Sequence, residues 1–76
     1  MKNRTVFPHI QVNPAVRFGK PVIEGTRVPV DLVVGKLAGG MTVDELVGEF
    51  DLTRVQILAA FKYAAHVVSQ ESLVVA

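Results

Sequence analysis

Hydrophobic and polar residues along this chain change their period once, near residue 29. Before that point the pattern is short and extended. Ile10 and Val12 alternate with His9 and Gln11, so Thr5 to Val12 reads as extended chain, which Pro8 limits to an edge or a strand start. Asn13-Pro14 marks a turn. Val22-Ile23 and Arg27-Val28 are two β-prone pieces around Glu24-Gly25-Thr26, a tight turn. Together they predict a sheet of two or three strands, which needs helices or a second chain packed against it to be stable in water. Beyond residue 29 the period becomes helical. Val30, Val33, Val34 and Leu37 share one face of a first helix, with Pro29 suited to its first turn, Asp31 near the positive end of its dipole and Gly39-Gly40 to end it. Val43, Leu46, Val47 and Phe50 repeat the stripe in a second helix, opened by a Thr42/Glu45 capping box. Asp51-Leu52 leaves room only for a very short joint. The third helix opens with a Thr53/Gln56 capping box, and its stripe is Ile57, Phe61, Ala64 and Val68, widened by Leu58 and Ala65.

This organisation predicts a mainly α fold of the small α+β class. A β-hairpin-like region precedes a three-helix, homeodomain-like helix-turn-helix bundle. Residues 1–29 form an extended arm, 30–69 the bundle and 70–76 an apolar tail, all within a single domain. Seventy-six residues support only a modest core. Half of them are apolar, which leaves two readings: a well-filled core, or apolar surface covered by a second subunit or another partner. The chain has no cysteine, so disulfides and thiolate metal sites are excluded, and a cytoplasmic location fits. No apolar run approaches the roughly 18 residues of a membrane span, and Met1 to Thr5 lacks the apolar stretch of a signal peptide.

A net charge of +1 selects no partner, but its distribution is uneven. Residues 1–29 hold Lys2, Arg4, Arg17, Lys20 and Arg27 against Glu24 alone, whereas residues 30–52 hold Asp31, Asp44, Glu45, Glu49 and Asp51 against Lys36. A basic arm beside an acidic middle suits self-association or docking as readily as nucleic acid. Catalysis has little to stand on. His9 and His66 belong to different elements at no metal-binding or acid–base spacing, and Asp44, Glu45 and Glu49 suit capping and solvation. No cofactor and no metal are expected. Lys20 lacks the glycine spacing of a phosphate loop. Arg27 suits either a phosphate or an ion pair with Glu24 across the turn.

The third helix is the candidate for reading DNA. With its apolar stripe inward, Gln56, Ala59, Lys62, Tyr63 and His66 fall on the opposite face, with Thr53 and Arg54 at its start. Glutamine and arginine supply the bidentate groups that base edges require. Thr53, Arg54, Gln56 and Lys62, with Lys20 and Arg27 from the arm, are therefore the candidate DNA contacts; in a dimer Lys2, Arg4 and Arg17 would join them. Against this stand the few cations on the helix and the acids opening the preceding one. The alternative is a protein-interaction and dimerisation module that uses the bundle as scaffold. Leu73, Val74 and Val75 are its candidate partner contacts, unless the tail packs on its own chain.

The stretch Gly19-Lys20-Pro21-Val22-Ile23-Glu24-Gly25-Thr26-Arg27-Val28-Pro29-Val30 resembles the signature of the small bacterial family called domain of unknown function 433. Ala38-Gly39-Gly40-Met41-Thr42-Val43-Asp44-Glu45-Leu46 is similar to the next part of that pattern, as are Leu52-Thr53, Gln56-Ile57, Ala59-Ala60 and Tyr63-Ala64. The resemblance runs over about residues 10–65. It implies a helix-turn-helix domain and an antitoxin-like function: a homodimer that neutralises a co-expressed PIN-like nuclease toxin and represses its own promoter by binding operator DNA.

Overall fold

Residues 4–71 are described by a computed structural model of the chain. The extended N-terminal stretch folds back on itself. Strand β1 (Arg4–Phe7) and strand β2 (Ile10–Val12) pair antiparallel across Pro8-His9. Proline at the first turn position and His9 at φ +67° give the hairpin its tight reversal. The register slips between Thr5 and Phe7, which leaves Val6 as an extra residue on the edge strand. Strand β3 (Val22–Ile23) pairs antiparallel with the other edge of β2, so the sheet order is β1-β2-β3. The segment between β2 and β3 turns twice. Asn13 Oδ1 accepts the Ala15 N–H at 2.9 Å, and a short 3-10 turn follows over Arg17–Gly19.

The expected turn after β3 forms at Glu24-Gly25. Thr26 N–H donates to Ile23 O at 3.0 Å, and Gly25 adopts φ +80°, the left-handed value that this turn type demands at its third position. Thr26 closes the loop with its side chain. Its hydroxyl donates to Ile23 O at 2.7 Å and accepts the Val28 N–H at 3.0 Å. Val22 then bridges Pro29, and Val30 N–H donates to Pro21 O at 3.0 Å, which ties the loop to the start of the first helix. The glycine, threonine and prolines of this stretch therefore build a fixed corner between sheet and bundle.

Helix α1 (Val30–Ala38) starts one residue after Pro29 and stops at Gly39-Gly40, with Gly40 at φ +109°. Helix α2 (Val43–Phe50) and helix α3 (Arg54–Ser69) are joined by Asp51, Leu52 and Thr53. Asp51 is left-handed at φ 54° and buried Leu52 plugs the joint, so the helix-turn-helix order is held by backbone and core together. The architecture is thus three helices with a three-stranded antiparallel sheet, a small α+β fold.

Ile10, Ile23, Val33, Leu46, Ile57 and Ala60 are fully buried at the centre, with one or more residues drawn from each of β2, β3, α1, α2 and α3. The expected stripe of α2 faces this core, as do Val30, Val33 and Val34 of α1, whereas Leu37, the last residue of the α1 stripe, is exposed. The stripe of α3 holds at Ile57, Phe61 and Ala64 but widens on the other side: Ala59 is buried and Tyr63 packs against the core, whereas Leu58, Ala65 and Val68 are exposed. The sheet is the cause. Phe7 of β1 lies edge-on to Tyr63, with ring centres 5.5 Å apart, and 5.2 Å from the His66 ring. The hairpin therefore covers the side of α3 that periodicity alone assigned to solvent, and the small Ala59 and Ala60 permit the approach.

Candidate functional site

The first turn of α3 is closed on itself. Thr53 Oγ1 accepts the Gln56 N–H at 3.1 Å and Gln56 Oε1 accepts the Thr53 N–H at 2.8 Å. Thr42 and Glu45 form the same reciprocal pair on α2, at 3.1 and 2.9 Å. Each box satisfies two of the amide donors that a helix start leaves unpaired. Arg54 Nη1 donates to Asp44 Oδ1 of α2 at 2.5 Å. Three of the candidate DNA contacts, Thr53, Arg54 and Gln56, are thus engaged within the molecule. Ala59, assigned by periodicity to the reading face, is buried instead, and Tyr63 is half-buried against the core. Lys62 remains exposed. The α2 surface beside this helix end presents Asp44, Glu45, Glu49 and Asp51 to solvent, a field that opposes phosphate.

Lys20 and Arg27 lie elsewhere. Lys20 borders a groove whose α3 wall is Tyr63, Ala64, Val67 and Val68. Those residues are nine to fourteen positions along the helix from Arg54, roughly 14–21 Å at the helical rise. Lys20 Nζ pairs with Asp31 Oδ2 of α1 at 3.0 Å, and Arg17 Nε donates to Arg27 O at 3.2 Å. A shallow depression beside α1 gathers Arg17, Lys20 and Lys36 with Asp31 as the acid among them. The expected ion pair between Arg27 and Glu24 does not form, because Glu24 Oε2 accepts from the Thr5 hydroxyl at 3.2 Å, on the side of the sheet. The six candidate DNA contacts therefore divide between two places, the capped start of α3 and the corner before α1. Leu73, Val74 and Val75 lie outside the described residues.

Two surface features escape the hydrophobic pattern. Arg17, Phe18 and Gly19 all have positive φ, at 52°, 56° and 81°. For the first two this left-handed conformation costs about 1–2 kcal/mol per residue. It lifts the Phe18 ring off the fold, at 101% of its reference exposure. The second feature is the groove between α1 and the C-terminal half of α3. Pro21, Val30, Val34, Ala64, Val67 and Val68 make it almost wholly apolar, with a volume of about 430 Å3. Val55 and Leu58 are further exposed apolar residues on α3. The only advance signal for any of this was the high apolar fraction of a short chain. Among the described residues no polar or charged side chain is fully buried, no group of three or more potential metal ligands occurs, and no helix is long and apolar enough to cross a membrane.

A tri-helical domain with a helix-turn-helix joint, a small N-terminal sheet and a rigid Gly-Thr-Arg corner is the class of fold that these elements define. The chain belongs to the family described as "protein of unknown function (DUF433)", whose profile matches residues 10–64. It is similar to the crystal structure of a DUF433 member protein from Anabaena variabilis ATCC 29413, with 32% sequence identity and a TM-score of 0.75. That likeness covers 82% of this chain and 62% of the other, so this chain spans less than two thirds of its relative's length. No curated protein matches.

Proposed function

We propose that this chain is a non-enzymatic, cytoplasmic binding protein that uses its helix-turn-helix bundle as a platform for another protein. The observation that carries the reading is the exposed apolar surface: Phe18, Val55, Leu58, Val67 and Val68 stand on one small domain. Isolated exposed apolar residues are ordinary, but an unsupported aromatic beside an apolar groove is how interface anchors present themselves. In the antitoxin-like form of this reading the partner is a PIN-like nuclease, and binding occludes its active site. Co-expression with a PIN-like nuclease from the same genome tests it. A stoichiometric complex that abolishes RNA cleavage supports the reading; full cleavage at saturating binding protein would sink the neutralising role.

Operator binding is a second reading, favoured by the helix-turn-helix joint and by the cations Arg17, Lys20, Arg27 and Lys36 near the corner. A fluorescence-anisotropy titration against upstream and scrambled duplexes tests it, at salt concentrations of about 50 and 200 mM, between which phosphate-driven binding weakens by orders of magnitude. Tighter binding to the upstream duplex with a steep salt slope supports a repressor. Equal, shallow binding to both removes the DNA half. Where both activities exist they are linked: nuclease binding changes DNA affinity by the factor by which DNA changes nuclease affinity.

A further inference from the structure

We propose that the chain pairs with a second copy of itself, each protomer seating Phe18 in the groove between α1 and α3 of the other. The inference rests on the protein-binding reading above and names the first partner of that surface. Phe18 is the knob. Its ring touches solvent on all sides, on three successive left-handed residues pinned by Gly19 N–H to Val16 O and Lys20 N–H to Arg17 O, both at 3.1 Å. A flexible polar loop would be cheaper here, so the fold holds an aromatic in place that its own core does not use.

The groove is the socket. Pro21, Val30, Val34, Ala64, Val67 and Val68 offer it an apolar wall, with Val68 65% exposed at the lip. A closed apolar cavity of about 150 Å3 holds a benzene ring, so 430 Å3 of open groove has room for a phenyl ring and the backbone that carries it. Knob and socket adjoin: Lys20 and Pro21 border the groove and follow Phe18 by two and three residues. That adjacency matters, because a two-fold contact requires both complementary parts on the same patch of each protomer. The rim is charge-balanced, because Lys20 Nζ pairs with Asp31 Oδ2 at 3.0 Å within one protomer, so the pairing rests on the aromatic knob and the apolar wall and not on charge.

Sedimentation equilibrium of the full chain tests the proposal, with far-UV circular dichroism to follow the fold. A wild-type dimer is expected. F18S, at a site outside the core, should leave the spectrum unchanged and weaken dimerisation at least about thirty-fold, as loss of an aromatic anchor does. V68E should do the same from the socket side. Mixing the two variants restores one joint of the two, because F18S keeps its socket and V68E its knob, so heterodimer should appear where neither variant pairs alone. A monomeric wild type, an F18S dimer as tight as wild type, or no pairing in the mixture would overturn the proposal. So would nuclear Overhauser contacts in a monomer from Leu73 or Val74 to Val68, which would give the groove to the chain's own tail. Nuclease capture by a monomeric chain would overturn the self-pairing and leave the protein-binding reading standing.

Discussion

Replacing Thr53 with alanine separates a structural role at the start of α3 from a DNA-reading one. The side chain accepts a single hydrogen bond, from the Gln56 N–H at 3.1 Å, and Gln56 returns one to the Thr53 N–H at 2.8 Å. Alanine removes the first bond and keeps the backbone donor of the second, so half of the box survives. Loss of an N-cap of this type costs about 1 kcal/mol. The unfolding entropy of 76 residues comes to about 0.16 kcal/mol/K near 60 °C. The quotient is a fall in Tm of about 6 °C, large because the domain is small. Differential scanning calorimetry at equal protein concentration measures it. Thr53→Ser keeps the acceptor and should recover most of the loss. A Tm within about 1 °C of wild type for Thr53→Ala would refute the capping argument, and with it the claim that the start of α3 is committed to its own backbone.

Three further experiments probe the core, the corner and the sheet. Leu46→Ala empties a fully buried position where α2 meets the core; urea denaturation should show a loss of about 3 kcal/mol, and a loss under about 1 kcal/mol would mean that α2 is not packed as described. Gly25 sits at φ +80° with no heavy atom within 4 Å of a would-be Cβ. Gly25→Ala should therefore lose about 1–2 kcal/mol from backbone conformation alone, and D-alanine introduced by chemical synthesis should not; equal losses from both would show a steric cause instead. A double-mutant cycle of Phe7→Leu and Tyr63→Leu should yield a coupling of about 1 kcal/mol for the edge-on ring pair, and additivity would detach the hairpin from α3.

What the sequence disclosed followed from local rules, and what it concealed followed from tertiary ones. Both capping boxes, the Gly39-Gly40 stop, the Gly25 turn, the stripe of α2 and the Val30, Val33 and Val34 part of the α1 stripe are decided within four or five neighbouring residues. They appear where the pattern put them. The α3 stripe was read in part, at Ile57, Phe61 and Ala64, but the side on which it widens could not be read this way. Ala59 and Tyr63 lie on one side of a helix whose other side carries Leu58 and Ala65, and both sides are apolar enough to be core. The choice between them was made by Phe7, more than fifty residues away in sequence. Thr5 to Val12 looked like one extended piece because Pro8 fits a strand start as well as a turn; His9 at φ +67° decides for the hairpin. Phe18 left no periodic trace at all, since its exposure comes from left-handed backbone at residues that do not favour it.

The same capping that makes α3 a good helix makes it a poor reader of DNA. A recognition helix needs its first side chains free to leave the backbone for a base edge, yet here Thr53 and Gln56 satisfy each other and Arg54 is held by Asp44. The Arg54–Asp44 pair is mostly exposed, at 60% and 86%, so holding it adds little stability and breaking it costs little. Its effect is on the surface field. It neutralises the cation best placed to meet a phosphate, and it leaves Glu45, Glu49 and Asp51 to set the sign of the potential around the joint. Cations with weaker local opposition sit at the far corner, beside Phe18 and the apolar groove. Cationic and apolar surface therefore coincide at the corner before α1, whereas the exposed Val55 and Leu58 at the start of α3 lie beside acids, and a partner that reads both cations and apolar surface would approach this domain from the corner.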